Sequence, residues 1–133
     1  MLDEELDDAD ETNQTEEKLY EKAYRETRRA LDESIELLAL LKHFETDLDS
    51  RSDIGEDLLE LKRQRADLVR ANLAFHSGRA VMTPPSPELV SEIVENAKKV
   101  VDLTVERATA SAVLKISTKA LTKFAEIQNI ANS

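Results

Sequence analysis

The chain has 133 residues, a formal net charge of −10, no cysteine and only two glycines, with 41% hydrophobic and 35% charged residues. This composition is typical of long helices and argues against a sheet protein. Without cysteine, disulfides, thiolate catalysis and cysteine-ligated zinc or iron-sulfur sites are excluded. The length predicts a single domain with a small core.

The negative charge is concentrated in the first 17 residues. They hold nine acids and no lysine or arginine, whereas the rest of the chain holds 19 acids and 18 bases. Such a segment repels itself and buries too little apolar surface to offset the entropy of ordering. We therefore predict a disordered acidic tail over residues 1–14 and a single helical-bundle domain over residues 15–133.

Two apolar stripes predict an antiparallel hairpin of helices at about 15–48 and 53–77. Thr15, followed by two glutamates, is typical of a helix N-cap. The polar segment 49–53 predicts a turn, with Ser52 or Asp53 capping the second helix, which should end near Gly78. The apolar stripe of the second helix consists of Ile54, Leu58, Leu59, Leu61, Leu68, Val69, Leu73 and Phe75.

Two polar residues, Arg65 and Asn72, fall within that stripe. Both could lie at its edge, with packed stems and solvated polar ends. Alternatively, a buried Asn72 specifies helix register or oligomeric state, as a single polar core residue can.

The segment Pro84-Pro85-Ser86-Pro87 predicts the start of a third helix, with Ser86 as N-cap and Pro87 in the first turn. The apolar stripe that follows contains no glycine or proline and predicts a helix over about 87–131. Such a helix is too long for its two partners in a compact monomer. Either it bends or splits near 103–111 to give a four-helix bundle, or it stays straight and pairs with a second copy; we favour the second alternative.

A homodimer is therefore expected, and the third helix supplies most of its candidate contacts. Small residues near its middle would let a partner helix approach closely, although we favour the interpretation that they form a thin part of the chain's own core. Two tyrosines one turn apart on the first helix form another candidate contact. The candidate self-association residues are Val105, Ala108, Ala112, Ile116, Phe124, Tyr20 and Tyr24.

Basic residues cluster on the second helix and just after it, at Lys62, Arg63, Arg65, Arg70 and Arg79. They could contact phosphates, but the cluster lacks interleaved aromatic residues and the chain is acidic overall. We interpret them as a solvated helix face. Alternatively, they bind nucleic acid and the acidic tail masks them until a partner displaces it.

The sequence predicts no catalytic, cofactor or metal site. The Glu-x-x-His spacing of di-iron bundles is missing, because leucine lies three residues before both His43 and His76. The acidic segment after Asp47 lacks the glycine and the glutamate of a calcium loop. Two isolated glycines cannot form a glycine-rich phosphate loop or a nucleophile elbow.

We therefore expect a non-enzymatic helical interaction protein that buries apolar helix stripes by self-association or against a protein partner, as an adaptor, chaperone or inhibitor does. No small-molecule substrate is predicted. The alternative is a nucleic-acid-associated regulator that uses the basic faces of the second helix and the C-terminal segment. An acidic N-terminus and the lack of a long uncharged apolar segment predict a cytoplasmic protein without membrane contact.

Overall fold

The computed structural model describes residues 2–79 and 83–129, with side chains for residues 15–79 and 83–127. Four helices make up the regular structure of these residues: α1 (Leu2–Phe44), α2 (Leu48–His76), α3 (Pro87–Val101) and α4 (Ala110–Asn129). The predicted all-α bundle is confirmed. Thr15 lies within α1 and not at its start. The disorder predicted for residues 1–14 lies outside the residues with described side chains and stays a prediction.

The helices run alternately up and down, and α1 is the centre of the packing. It contacts α2, α3 and α4. The α3 and α4 helices also pack against each other, whereas α2 touches α4 only slightly and makes no contact with α3 within the described residues. The architecture is thus a three-helix bundle of α1, α3 and α4, with α2 attached mainly to one side of α1.

Small side chains on α1 allow this close packing. Ala23, Thr27, Ala30 and Ser34 are all essentially inaccessible to solvent. They recur at spacings of three and four and therefore lie along one side of the helix. Larger residues fill the surrounding core, which includes Leu31, Leu38, Ile93, Val100, Val113, Phe124 and Ile127.

The continuous third helix that we favoured is wrong. The α3 helix ends at Val101 and α4 begins at Ala110, so the chain follows the four-helix alternative. Thr104, Val105 and Thr109 have low helix propensity, and the Thr109 hydroxyl accepts a hydrogen bond from the Ala112 N–H at 3.1 Å, which caps α4. Because the chain reverses its direction between α3 and α4, the apolar stripe of α4 is buried against α1 and α3.

The connection between the first two helices is shorter than predicted. The α2 helix already begins at Leu48, and its N-cap is Asp47, not Ser52 or Asp53. The Asp47 carboxylate accepts hydrogen bonds from the N–H and the hydroxyl of Ser50, at 2.9 and 2.8 Å. These two bonds hold the pKa of Asp47 below its usual value.

Two local predictions are confirmed. Ser86 caps α3 by accepting a hydrogen bond from the Leu89 N–H at 3.1 Å, and Pro87 is the first residue of the helix. At the end of α2, Gly78 has a φ of 76°, a left-handed conformation that glycine adopts without strain.

The predicted stripe of α2 in fact belongs to two different faces. Ile54, Leu58, Leu61 and Leu68 are buried, whereas Leu59 and Leu73 are 69% and 60% exposed. Leu48, which lies at the predicted end of the first helix, is the first residue of α2 and is 78% exposed. The core therefore uses only about half of the large apolar residues of this helix.

Ser34 is the last of the small buried residues of α1, and its hydroxyl has no hydrogen-bond partner among the described residues. An unpaired buried hydroxyl loses its bonds to water without replacement. Ser34→Ala is therefore expected to raise the free energy of unfolding by about 1 kcal/mol in urea titrations.

Ser117 provides the matched control, because it is equally buried but donates a hydrogen bond to the Leu114 carbonyl at 3.0 Å. Ser117→Ala should give no gain in stability. An equal gain from both substitutions would show that the unpaired hydroxyl of Ser34 is not the cause.

Candidate interaction surfaces

The predicted self-association residues lie mainly inside the chain's own bundle. Tyr20, Ala108 and Phe124 are buried. Tyr24, Ala112 and Ile116 are partly buried on α1 and α4, and Val105 is partly buried in the connection between α3 and α4. The structure therefore uses most of these side chains for packing within one chain, and their role in self-association stays a prediction.

An aromatic cluster joins α1 to α2 and α4 at one end of the bundle. The Tyr20 ring lies 4.4 Å from that of Phe75 and 6.1 Å from that of Phe124, and Tyr24 lies 6.2 Å from Phe124. The Tyr20 hydroxyl donates a 2.9 Å hydrogen bond to Oδ1 of Asn72. Asn72 is half-buried, and this hydrogen bond joins α1 to α2 within one chain.

The predicted basic patch is largely neutralised by neighbouring acids. Arg63 pairs with Glu60 and Asp67, and Arg70 also pairs with Asp67. Arg65 pairs with Asp32 across the α1–α2 interface. Lys62 and Arg79 are exposed and form no ion pair with the described residues. Nucleic-acid binding by these bases stays a prediction, and the masking tail lies outside the described side chains.

The large apolar side chains exposed on α2 lie on a single face. At 100° per residue, Leu48, Leu59 and Leu73 fall within about 40° of one another. The positions between them continue the same stripe at alternating steps of four and three. We define the leucine face as Leu48, Ser52, Gly55, Leu59, Lys62, Ala66, Val69 and Leu73.

A separate groove lies between α2 and α4, where the two helices are barely in contact. One depression in it, of about 650 Å³, is lined by Asp57 on one wall and by Leu114, Lys115 and Lys119 on the other. Smaller depressions extend it toward Ile54 at one end and toward Phe124 at the other. No residue of the leucine face lines these three depressions, so the groove and the leucine face are distinct flanks of α2.

The two flanks differ in chemistry. Acidic and basic side chains stand on the walls of the groove, together with threonines. Three leucines stand out on the leucine face, each with more than half of its surface exposed. Burying one such side chain is worth about 1.5–3 kcal/mol, so the leucine face offers a substantial gain on association.

Neither metal-binding geometry nor a membrane-spanning helix is found in the part of the chain that the structure describes. Within it, no three histidine, aspartate or glutamate side chains are grouped so that they could hold a metal ion. No helix of that part is both long enough and apolar enough to cross a bilayer.

Comparisons of the chain with protein-family models, with curated proteins and with solved structures gave no match.

Sequence reasoning missed the leucine face because it assigned Leu59 and Leu73 to the core stripe. The spacing of these two leucines nevertheless indicates a second face. Leu59 is followed after seven residues by Ala66 and after another seven by Leu73, so the three share one position of a heptad repeat. The buried residues Ile54, Leu61 and Leu68 repeat at the same interval from a different starting point.

Burial raises the pKa of the Tyr20 hydroxyl, and the nearby Tyr24 and Glu21 add to the shift. The fold favours the neutral phenol, so this contribution to stability is complete below the unfolded pKa of about 10 and is lost as the pH rises further. We expect the free energy of unfolding to fall more steeply above about pH 10 in the wild type than in Tyr20→Phe.

Chemical denaturation of both proteins at neutral and alkaline pH measures this difference. Lysines lose their protons at alkaline pH in both proteins, so the difference between the two pH profiles reports the effect of the Tyr20 hydroxyl alone. At neutral pH, Tyr20→Phe should be less stable by about 1 kcal/mol, because Asn72 loses a hydrogen bond. Parallel pH profiles would contradict the predicted role of the Tyr20 proton.

Proposed function

We propose that this chain is a non-enzymatic helical interaction protein that works by burying the leucine face of α2. The observation that carries this proposal is the exposure of Leu48, Leu59 and Leu73 on one side of a helix whose other side already forms the core. Single exposed leucines are common on protein surfaces, but an aligned set along a helix is typical of a helix–helix contact.

The packing of α2 supports this function. Because α2 is attached mainly through α1, the three leucines of the face stay exposed at both ends and in the middle of the helix. The face is built on a regular helix of 29 residues and not on a loop. A partner helix could therefore bind to it without any rearrangement of the bundle.

The test compares complexes formed by the wild type with those formed by Leu59→Lys. Lysine is a good helix former, and Leu59 is 69% exposed, so this change should leave the melting temperature nearly unchanged. It places a charge in the centre of the leucine face. Both proteins are cross-linked chemically in an extract of the native cells, and the masses of the products are measured. The wild type should form complexes, with itself or with another protein, that Leu59→Lys does not form.

Leu40→Lys is the matched control, because Leu40 is an exposed leucine on α1 and lies outside the leucine face. It should retain every complex. The proposal fails if Leu59→Lys forms the same complexes as the wild type, or if the wild type forms none.

A further inference from the structure

We infer that the partner of the leucine face is a second copy of this chain, bound through an antiparallel pairing of the two α2 helices about a twofold axis. This inference names the partner for the proposed function and rests on it. It differs from the dimer expected from the sequence, which used a continuous third helix. Three observations on α2 support it: the symmetry of the leucine face, its small central residues and the order of charges along the helix.

The first observation is that the leucine face ends in a leucine on both sides, with Leu48 and Leu73 equally distant from the point between Glu60 and Leu61. Its eight positions follow a heptad pattern that reads the same from either end. In an antiparallel pair centred there, Leu48 of one copy lies beside Leu73 of the other. The next layers pair Ser52 with Val69, Gly55 with Ala66 and Leu59 with Lys62.

The second observation is the size of the residues in these layers. Gly55 and Ala66 lie between the leucines and would allow the two helices to approach closely. Lys42 of α1 borders the face at Gly55, where its Nζ would lie 3.2 Å from an added Cβ. Its flexible side chain can turn away, and the Lys62 stem can cover Leu59 while its ammonium stays in water.

The third observation is that the charges of α2 are sorted along its length. Residues 48–60 hold five acids and one base, whereas residues 61–76 hold four bases and one acid. The helix dipole favours such an order only within the first and last turns, so it does not account for charges in the middle of the helix. Antiparallel pairing places each acidic half against a basic half, whereas parallel pairing places like charges together.

Specific side chains fit this pairing. Asp49, Glu56, Arg63 and Arg70 are exposed and flank the leucine face on the same side at intervals of seven residues. In the antiparallel register, Asp49 is near Arg70 of the second copy and Glu56 is near Arg63. Asp49 and Glu56 form no ion pair with the described residues of their own chain, so their carboxylates are available.

The arginines can take part in these contacts. Arg63 and Arg70 pair with acids of their own helix, but their side chains are 60% and 71% exposed. Exposed ion pairs within a helix contribute little to stability, and a guanidinium can bind two carboxylates at once.

Introduced cysteines test the register directly, because the chain has none of its own. Leu48→Cys and Leu73→Cys are made in separate full-length chains, and the two are oxidised alone and mixed. Antiparallel pairing brings position 48 of one copy within disulfide distance of position 73 of the other. The mixture should form a disulfide-linked heterodimer, and neither variant alone should form a linked homodimer.

Sedimentation equilibrium of the unmodified chain provides the second measurement. The mass should rise with concentration from 15.0 kDa to twice that value. Leu59→Lys should weaken the association at least about tenfold, because it removes an apolar contact and places a second lysine beside Lys62 in both central layers. Leu40→Lys should associate as the wild type does.

The outcomes separate this inference from the proposed function. A mass of 15.0 kDa at every concentration overturns the second copy as partner, and so does linkage of each cysteine variant with itself. If Leu59→Lys nevertheless loses complexes with another protein in the extract, the proposed function stands with a different partner. If Leu59→Lys changes neither self-association nor any other complex, both proposals fail.

Discussion

The packing of three helices around α1 is the constraint on which the rest of the structure depends. One helix can contact three neighbours closely only where its own side chains are small, and α1 carries Ala23, Thr27, Ala30 and Ser34 along its buried side. The break between Val101 and Ala110 completes the arrangement, since it turns a stripe too long for its partners into two helices that both reach α1. A hydrogen bond from the Asn96 side-chain amide to the Ile116 carbonyl, at 2.9 Å, joins these two helices.

The same constraint explains why α2 has so much free surface. With α3 and α4 occupying the rest of α1, α2 is left with one main contact, and its other flanks face the groove and the solvent. Its position along α1 is nevertheless well determined, because Tyr20 binds Asn72 at one end and Asp32 pairs with Arg65 nearer the middle. A helix that is held firmly on one side and open on the others is well suited to present a binding surface.

Local capping chemistry made much of the fold predictable, whereas periodicity alone did not. Ser86 and Pro87 identified the start of α3 correctly because a cap followed by proline has few other uses. The break after Val101 was harder to predict, because its apolar residues keep helical spacing and only three β-branched side chains weaken the helix there. Asp47 was overlooked as the cap of α2 because the polar residues after it are equally good turn formers. Its two hydrogen bonds from Ser50 identify it as the residue that caps the helix.

The candidate site was less predictable, because the two apolar faces of α2 overlap in a simple count of spacings. Leu59 and Leu73 do not belong to the core, and the charged side chains of α2 likewise serve more than one purpose. Glu60, Asp67 and Arg63 stabilise the helix through ion pairs one turn apart, and Asp49 favours its first turn. Glu56 has neither function, since it lies beyond the first turn and pairs with no described residue. In the twofold pair that we propose, its position beside the leucine face and opposite Arg63 would give this carboxylate a role in recognition that the fold of one chain does not.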